Sequence, residues 1–131
     1  MSFYNIKRNP NDIAFSNFIH SKAGGKCEYC GRVCKLGMET IYQLEASHYF
    51  SRSHWAVRYD PENVYALCSA CHKRMGGYKN SEDGEYDIWV KQKLGEDGYK
   101  RLKIRAYSTG VRDKTLIKLY IKELWKSISV K

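Results

Sequence analysis

The chain has 131 residues, and its 23 Lys and Arg against 14 Asp and Glu give a formal charge of +9. Hydrophobic residues make up 43% and charged residues 28%, a balance typical neither of disordered chains nor of membrane proteins. No apolar run approaches the roughly 18–20 residues of a membrane span, and the N-terminus lacks the apolar core of a signal peptide, so neither secretion nor membrane insertion is expected. The length suits one domain, or one small domain with a helical extension. The charge points to an acidic partner, nucleic acid being the commonest, with a merely soluble basic protein as the other reading.

In chain order, residues 1–23 read as a helical lead-in. Asn9-Pro10-Asn11-Asp12 is a turn and helix cap, followed by Ile13, Phe15, Phe18 and Ile19. Five cysteines follow: Cys27, Cys30, Cys34, Cys68 and Cys71. Their odd number argues against a disulfide framework. Two CxxC knuckles, Cys27–Cys30 and Cys68–Cys71, suit one tetrahedral, structural Zn²⁺ with a closed shell. Cys34 is the spare, either a substitute ligand or a buried free thiol.

The insert between the knuckles is too long for a ribbon loop. Residues 39–46 read as a strand, ended by Ser47-His48-Tyr49-Phe50. A polar loop follows, then the turn Asp60-Pro61-Glu62-Asn63 and a second strand at Val64–Leu67. A helix should run from Cys68 to about Arg74 and stop at Gly76-Gly77. Beyond an acidic connector at 81–84, Tyr86, Trp89, Val90 and Leu94 recur at helical spacing up to Gly95. A short helix is expected at 96–107, broken at Ser108-Thr109-Gly110. The last helix carries a broad apolar stripe from Leu116 to Ile128, expected to pack on the module or, less readily, to form a dimer seam. Charge is uneven: residues 98–131 hold 10 basic and 2 acidic groups, and residues 81–97 hold 2 basic and 6 acidic.

Strand, loop, strand and helix, with His48 ending the first strand, Asn63 opening the second and His72 on the helix, resemble the HNH or ββα-metal motif. Leu67-Cys68-Ser69-Ala70-Cys71-His72 is similar to the LCxxCH segment of zinc-bearing HNH proteins. The closer resemblance is to the phage NinG and Rap recombination endonucleases, carried by Cys27–Gly31, Glu45–Arg52, Val57–Val64, Gly84–Tyr86 and Lys93–Gly95. It implies an α+β fold: a zinc-stabilised HNH core at 24–80 and a basic helical C-terminal extension at 81–131. It also implies a phage enzyme cutting branched DNA, such as Holliday junctions and D-loops, in the cytoplasm of the infected bacterial host.

On that resemblance His48 is the candidate general base, since a neutral imidazole can take a proton from water. Mg²⁺ or Mn²⁺ would relieve charge on the phosphate. His72 is a candidate ligand, and Asn63 either ligates the ion or fixes the loop. Many HNH proteins carry an Asp just before the first His; here that position is Ser47, so Glu45 is the substitute carboxylate and Asp60 a weaker one. Arg52 and Arg58 are expected to clamp phosphate, and Lys100, Arg101, Lys103 and Arg105 to contact DNA backbone. No role follows for His20 or His54. A homodimer would supply two sites for symmetric cutting. Two further readings stand beside this one: a non-cleaving, zinc-stabilised DNA-binding recombination accessory protein, and a nuclease with another DNA target.

Overall fold

The computed structural model describes residues 8–34, 43–76 and 82–129. Helix α1, Pro10–Lys22, opens with a reciprocal capping box. The Asn9 side chain accepts the Asp12 N–H at 2.9 Å and the Asp12 carboxylate accepts the Asn9 N–H at 2.8 Å. Pro10 stands at the first helical position, where no N–H is needed.

Strands β1, Leu44–His48, and β2, Val64–Cys68, pair antiparallel in a register that runs from Leu44 opposite Cys68 to His48 opposite Val64. The strand expected at 39–46 therefore sits further along the chain. Ser47 and His48 belong to the ladder because Tyr65 and Val64 continue to pair with them. Residues 39–42 lie outside the described residues. Helix α2, Ser69–Met75, follows β2 directly and ends at Gly76, whose φ of 79° is the left-handed conformation a helix stop requires. Gly77 lies outside the described residues.

Helices α3, Glu85–Ala106, and α4, Lys114–Ser129, complete the chain. Gly95 interrupts α3 with φ 75° and ψ 168°, a conformation close to the region that is almost exclusively glycine's. The expected break at that residue is a sharp kink between two helical runs.

β2 is buried along its whole length, and its alternate residues enter two different cores. Val64 and Ala66 join Phe15, Phe18 and Ile19 of α1 and Ile117 and Ile121 of α4. Tyr65 and Leu67 join Tyr86, Val90 and Leu102 of α3 and the cysteine knuckles. The hairpin is thus the middle layer of an α+β fold, with α1 and α4 on one face and α2 and α3 on the other. This is why β2 reads as an unbroken apolar run, not an alternating one. The α4 stripe divides: Ile117 and Ile121 are buried, while Leu116 and Tyr120 are 56% and 44% exposed. Among the described residues no helix is long and apolar enough to cross a membrane.

Candidate active site and metal centre

Cys27, Cys30, Cys68 and Cys71 bring their sulfurs within 4.8 Å of one another. Cys30 Sγ and Cys68 Sγ are 3.8 Å apart, close to the roughly 3.8 Å edge of a tetrahedron with Zn–S bonds of about 2.3 Å. Within each knuckle the second cysteine's N–H donates to the first sulfur, at 3.5 Å for both Cys30→Cys27 and Cys71→Cys68. Four thiol groups with this spacing fit a structural zinc ion. The first knuckle is docked by a residue that carries no motif signal of its own. Glu28 accepts the Ala66 N–H through its carboxylate at 2.7 Å and donates its own N–H to the Ala66 carbonyl at 2.8 Å, completing the edge of β2. Cys34 stands apart from the quartet as a buried thiol, its pKa raised by burial.

Beside the hairpin lies a cavity of about 550 Å³ lined by Glu45, His48 and His72, with Arg52 at its edge and α1 forming a wall. His48 Nε2 lies 2.9 Å from the Arg58 carbonyl oxygen. A carbonyl only accepts, so Nε2 carries the proton and Nδ1 the lone pair. Burial pushes the His48 pKa down to about 4, against the opposing pull of the Arg58 carbonyl, and the ring is neutral near pH 7. His72 Nδ1 and Glu45 Oε1 are 2.7 Å apart. At that separation the His72 Nδ1–H donates a hydrogen bond to the Glu45 carboxylate. One imidazole and one carboxylate are donor types that divalent cations accept, and among the described residues only the four cysteines bring three or more such ligand atoms together.

The geometry decides between the two readings of Asn63 and corrects the roles expected of Arg58 and Arg105. Asn63 is fully buried and away from the cavity. Its Oδ1 accepts the Phe50 N–H at 2.8 Å, and its Nδ2 donates to the carbonyls of Phe50 at 2.9 Å and Val57 at 3.1 Å. With its amide spent on the loop, Asn63 matches the loop-fixing alternative. Arg58 does not clamp phosphate. It is 2% exposed, forms a two-pronged ion pair with Asp12 at 2.9 and 2.6 Å, and lies over the Trp55 ring at 4.3 Å. Arg105 is tied to Asp60 at 2.9 Å and Glu62 at 2.8 Å, which neutralises it and also commits Asp60, the weaker candidate ligand. Ser47, at the position where many HNH proteins carry Asp, is buried with its hydroxyl 2.9 Å from the Tyr86 hydroxyl. Lys100, Arg101 and Lys103 are exposed on α3, Lys100 pairing with Glu96 at 3.3 Å. His54 packs tilted against Phe50 and edge-on against Tyr107, outside the cavity lining.

Sequence reasoning overlooked two residues. Asp12 read as a helix cap, yet it anchors Arg58 and, through it, the segment whose carbonyl holds His48. His20 reaches the cavity from α1. Neither carries a local signal, because both act on residues distant in the chain.

Residues 27–77 match the model of the HNH family, described as HNH endonuclease. No curated protein and no solved structure matches the chain. The matched segment spans both knuckles, the hairpin and α2, and points to nuclease activity with DNA as substrate and a divalent metal in the reaction.

Proposed function

We propose that this protein is a metal-dependent DNA endonuclease that cuts branched recombination intermediates, Holliday junctions and D-loops among them, with His48 as general base. The observation that carries the proposal is the hydrogen bond from His48 Nε2 to the Arg58 carbonyl. It holds the ring in one tautomer and leaves the Nδ1 lone pair to take a proton from a water in line with phosphorus. Glu45 and His72 would hold a Mg²⁺ or Mn²⁺ ion, which when bound supplies charge relief at the phosphate and the leaving 3′-oxygen. Arg52, 23% exposed by side chain and 3.7 Å from Asp12, would meet a phosphate from the cavity lining. Lys100, Arg101 and Lys103 would contact backbone farther out. The resemblance to the phage NinG and Rap proteins supports branched DNA as the substrate and the infected host's cytoplasm as the setting. A homodimer would give two cuts.

One observation favours the non-cleaving accessory reading. Ser47 turns into the core against Tyr86, so the usual carboxylate is missing from its place. A single assay separates the two. Zinc-loaded protein is incubated with labelled four-way junction and linear duplex, with and without added Mg²⁺ or Mn²⁺. Junction cutting that needs added metal, and falls at least about 100-fold in His48→Ala with binding retained, is the expected result. Binding without cutting under every metal overturns the endonuclease.

A further inference from the structure

Tyr107 caps the C-terminal end of α3 and is 71% exposed, the most open large apolar side chain among the described residues. An exposed tyrosine is ordinary by itself, but this ring is held in place. Its centroid lies 6.0 Å from Phe50 and 5.6 Å from His54, edge-on to both, and the Phe50 and His54 rings pack tilted on each other at 5.6 Å. Phe50 and His54 bracket Ser51 and Arg52, which line the cavity. The loop between them is pinned, with the His54 N–H donating to the Ser51 carbonyl at 2.9 Å and the Ser51 and Ser53 hydroxyls 2.6 Å apart. One short loop thus carries part of the cavity lining and part of the aromatic cluster. Positive charge lies beside the cluster. Arg112 is exposed, with its guanidinium carbon 5.3 Å from the centroid of the Trp55 ring, and no carboxylate pairs with it among the described residues. Its neighbour Asp113 is engaged at the start of α4 by the N–H groups of Thr115 and Leu116. An open, pre-oriented aromatic ring beside an unneutralised guanidinium suits a nucleobase on the ring and its phosphate on the cation. Bases inside a duplex have no free face to offer, so the occupant that fits is an unpaired nucleotide.

We propose that Tyr107, held by Phe50 and His54, is a stacking platform for an unpaired nucleotide of the DNA strand that enters the cavity, with Arg112 on the adjacent phosphate. A D-loop carries a displaced single strand and an unbroken linear duplex carries none, so the platform favours the branched substrate. The inference rests on the branched-DNA reading of this site, but its test measures binding and not cleavage.

The test follows the anisotropy of a labelled oligothymidylate and of a linear duplex titrated with the zinc-loaded full chain, without added Mg²⁺ or Mn²⁺. Tyr107→Ala should weaken single-strand binding at least about 5-fold, the low end of what one stacked base contributes, and leave duplex affinity within about 2-fold. Tyr107→Trp, which keeps an aromatic face, should bind the single strand as well as the wild type. Arg112→Ala should reduce the slope of log affinity against log salt by about 0.7, the value for one phosphate of a single strand. Tyr107→Ala should leave that slope unchanged, because a stacked ring releases no counterion. Aminopurine in the single strand should lose fluorescence on binding the wild type and keep it on binding Tyr107→Leu, a signature that a merely structural tyrosine would not produce. Zinc content and circular dichroism should be the same in every variant. Wild-type single-strand affinity in Tyr107→Ala, an equal loss on the duplex, or no single-strand binding by the wild type overturns the inference. If it fails while metal-dependent junction cutting persists, the endonuclease stands without the platform. If the junction is neither bound nor cut, both fall.

Discussion

Arg58 has two separate tasks, one for each half of the residue. Its guanidinium is sunk into Asp12 and the Trp55 ring, and its carbonyl oxygen accepts the His48 proton. Burial alone would raise the Asp12 pKa, but the hydrogen bonds from Arg58, Asn9 and Tyr59 outweigh it and hold it below the usual carboxylate value. The ion pair thus stays charged and keeps the carbonyl in place. His48 shows the opposite balance, with burial dominating and the ring depressed to about 4 from 6.5. Between those values the unfolded chain takes up a proton that the folded chain refuses, so the His48 contribution to stability is present above pH 6.5 and lost as pH falls towards 4. The midpoint of thermal unfolding should drop across that window. The drop should be smaller in His48→Gln, whose amide N–H can still donate to the Arg58 carbonyl. An equal drop in both proteins would remove His48 from the account.

Elements place these residues through close backbone approach. The turn at Trp55–Val57 carries Arg58, and Gly110, in the link between α3 and α4, lies directly against it. A Cβ at residue 110 would stand 2.3 Å from the Ala56 nitrogen and 2.5 Å from the Trp55 carbonyl carbon. Both are backbone atoms that cannot rotate away. Gly110→Ala should therefore cost about 1–3 kcal/mol in urea unfolding, the usual range for overpacking, and should displace the loop that orients His48. A substitution that left both stability and the His48 environment unchanged would show that the link can move aside freely. The kink at Gly95 serves another end. It lets the first run of α3 lie over the zinc knuckles, through Trp89 on Tyr29 at 5.5 Å, while the second run reaches Asp60 and Glu62 through Arg105.

At the scale of the molecule, both cores meet at β2, whose end supplies two of the four cysteines with α2. Removing zinc should for that reason cost more than the knuckles. Helical circular dichroism should be lost over the whole chain in one transition, α1 and α4 included, because their apolar faces close on the same strand. Retention of most helix after complete zinc loss would contradict this. The basic surface is likewise shaped by the fold. Each phosphate contact contributes about 0.9 to the slope of log affinity against log salt. Lys103→Ala should reduce that slope by about 1 if the lysine contacts a phosphate, whereas Arg105→Ala should leave it nearly unchanged, because Asp60 and Glu62 already neutralise that guanidinium. DNA binding measured across a salt series checks both.

What the sequence determined by itself was the part set by spacing along the chain. Two CxxC pairs can converge on one ion whatever surrounds them. The run Val64–Leu67 read as a strand leading into a helix at Cys68, and Gly95 read as a helix stop. His48 was legible between the knuckles, and His72 directly after the second one. Tertiary structure alone decided which neighbours each polar group meets. Asn63 and Arg58 looked like chemistry by their place in the motif, and both are spent inside the fold. Asp12 and His20 looked like parts of an N-terminal helix, and they wall the cavity. The physical reason is separation: Asp12 meets Arg58 across 46 positions and Glu45 meets His72 across 27. Contacts of that range are formed by the closing of α1 and α2 over the hairpin, which no local pattern encodes.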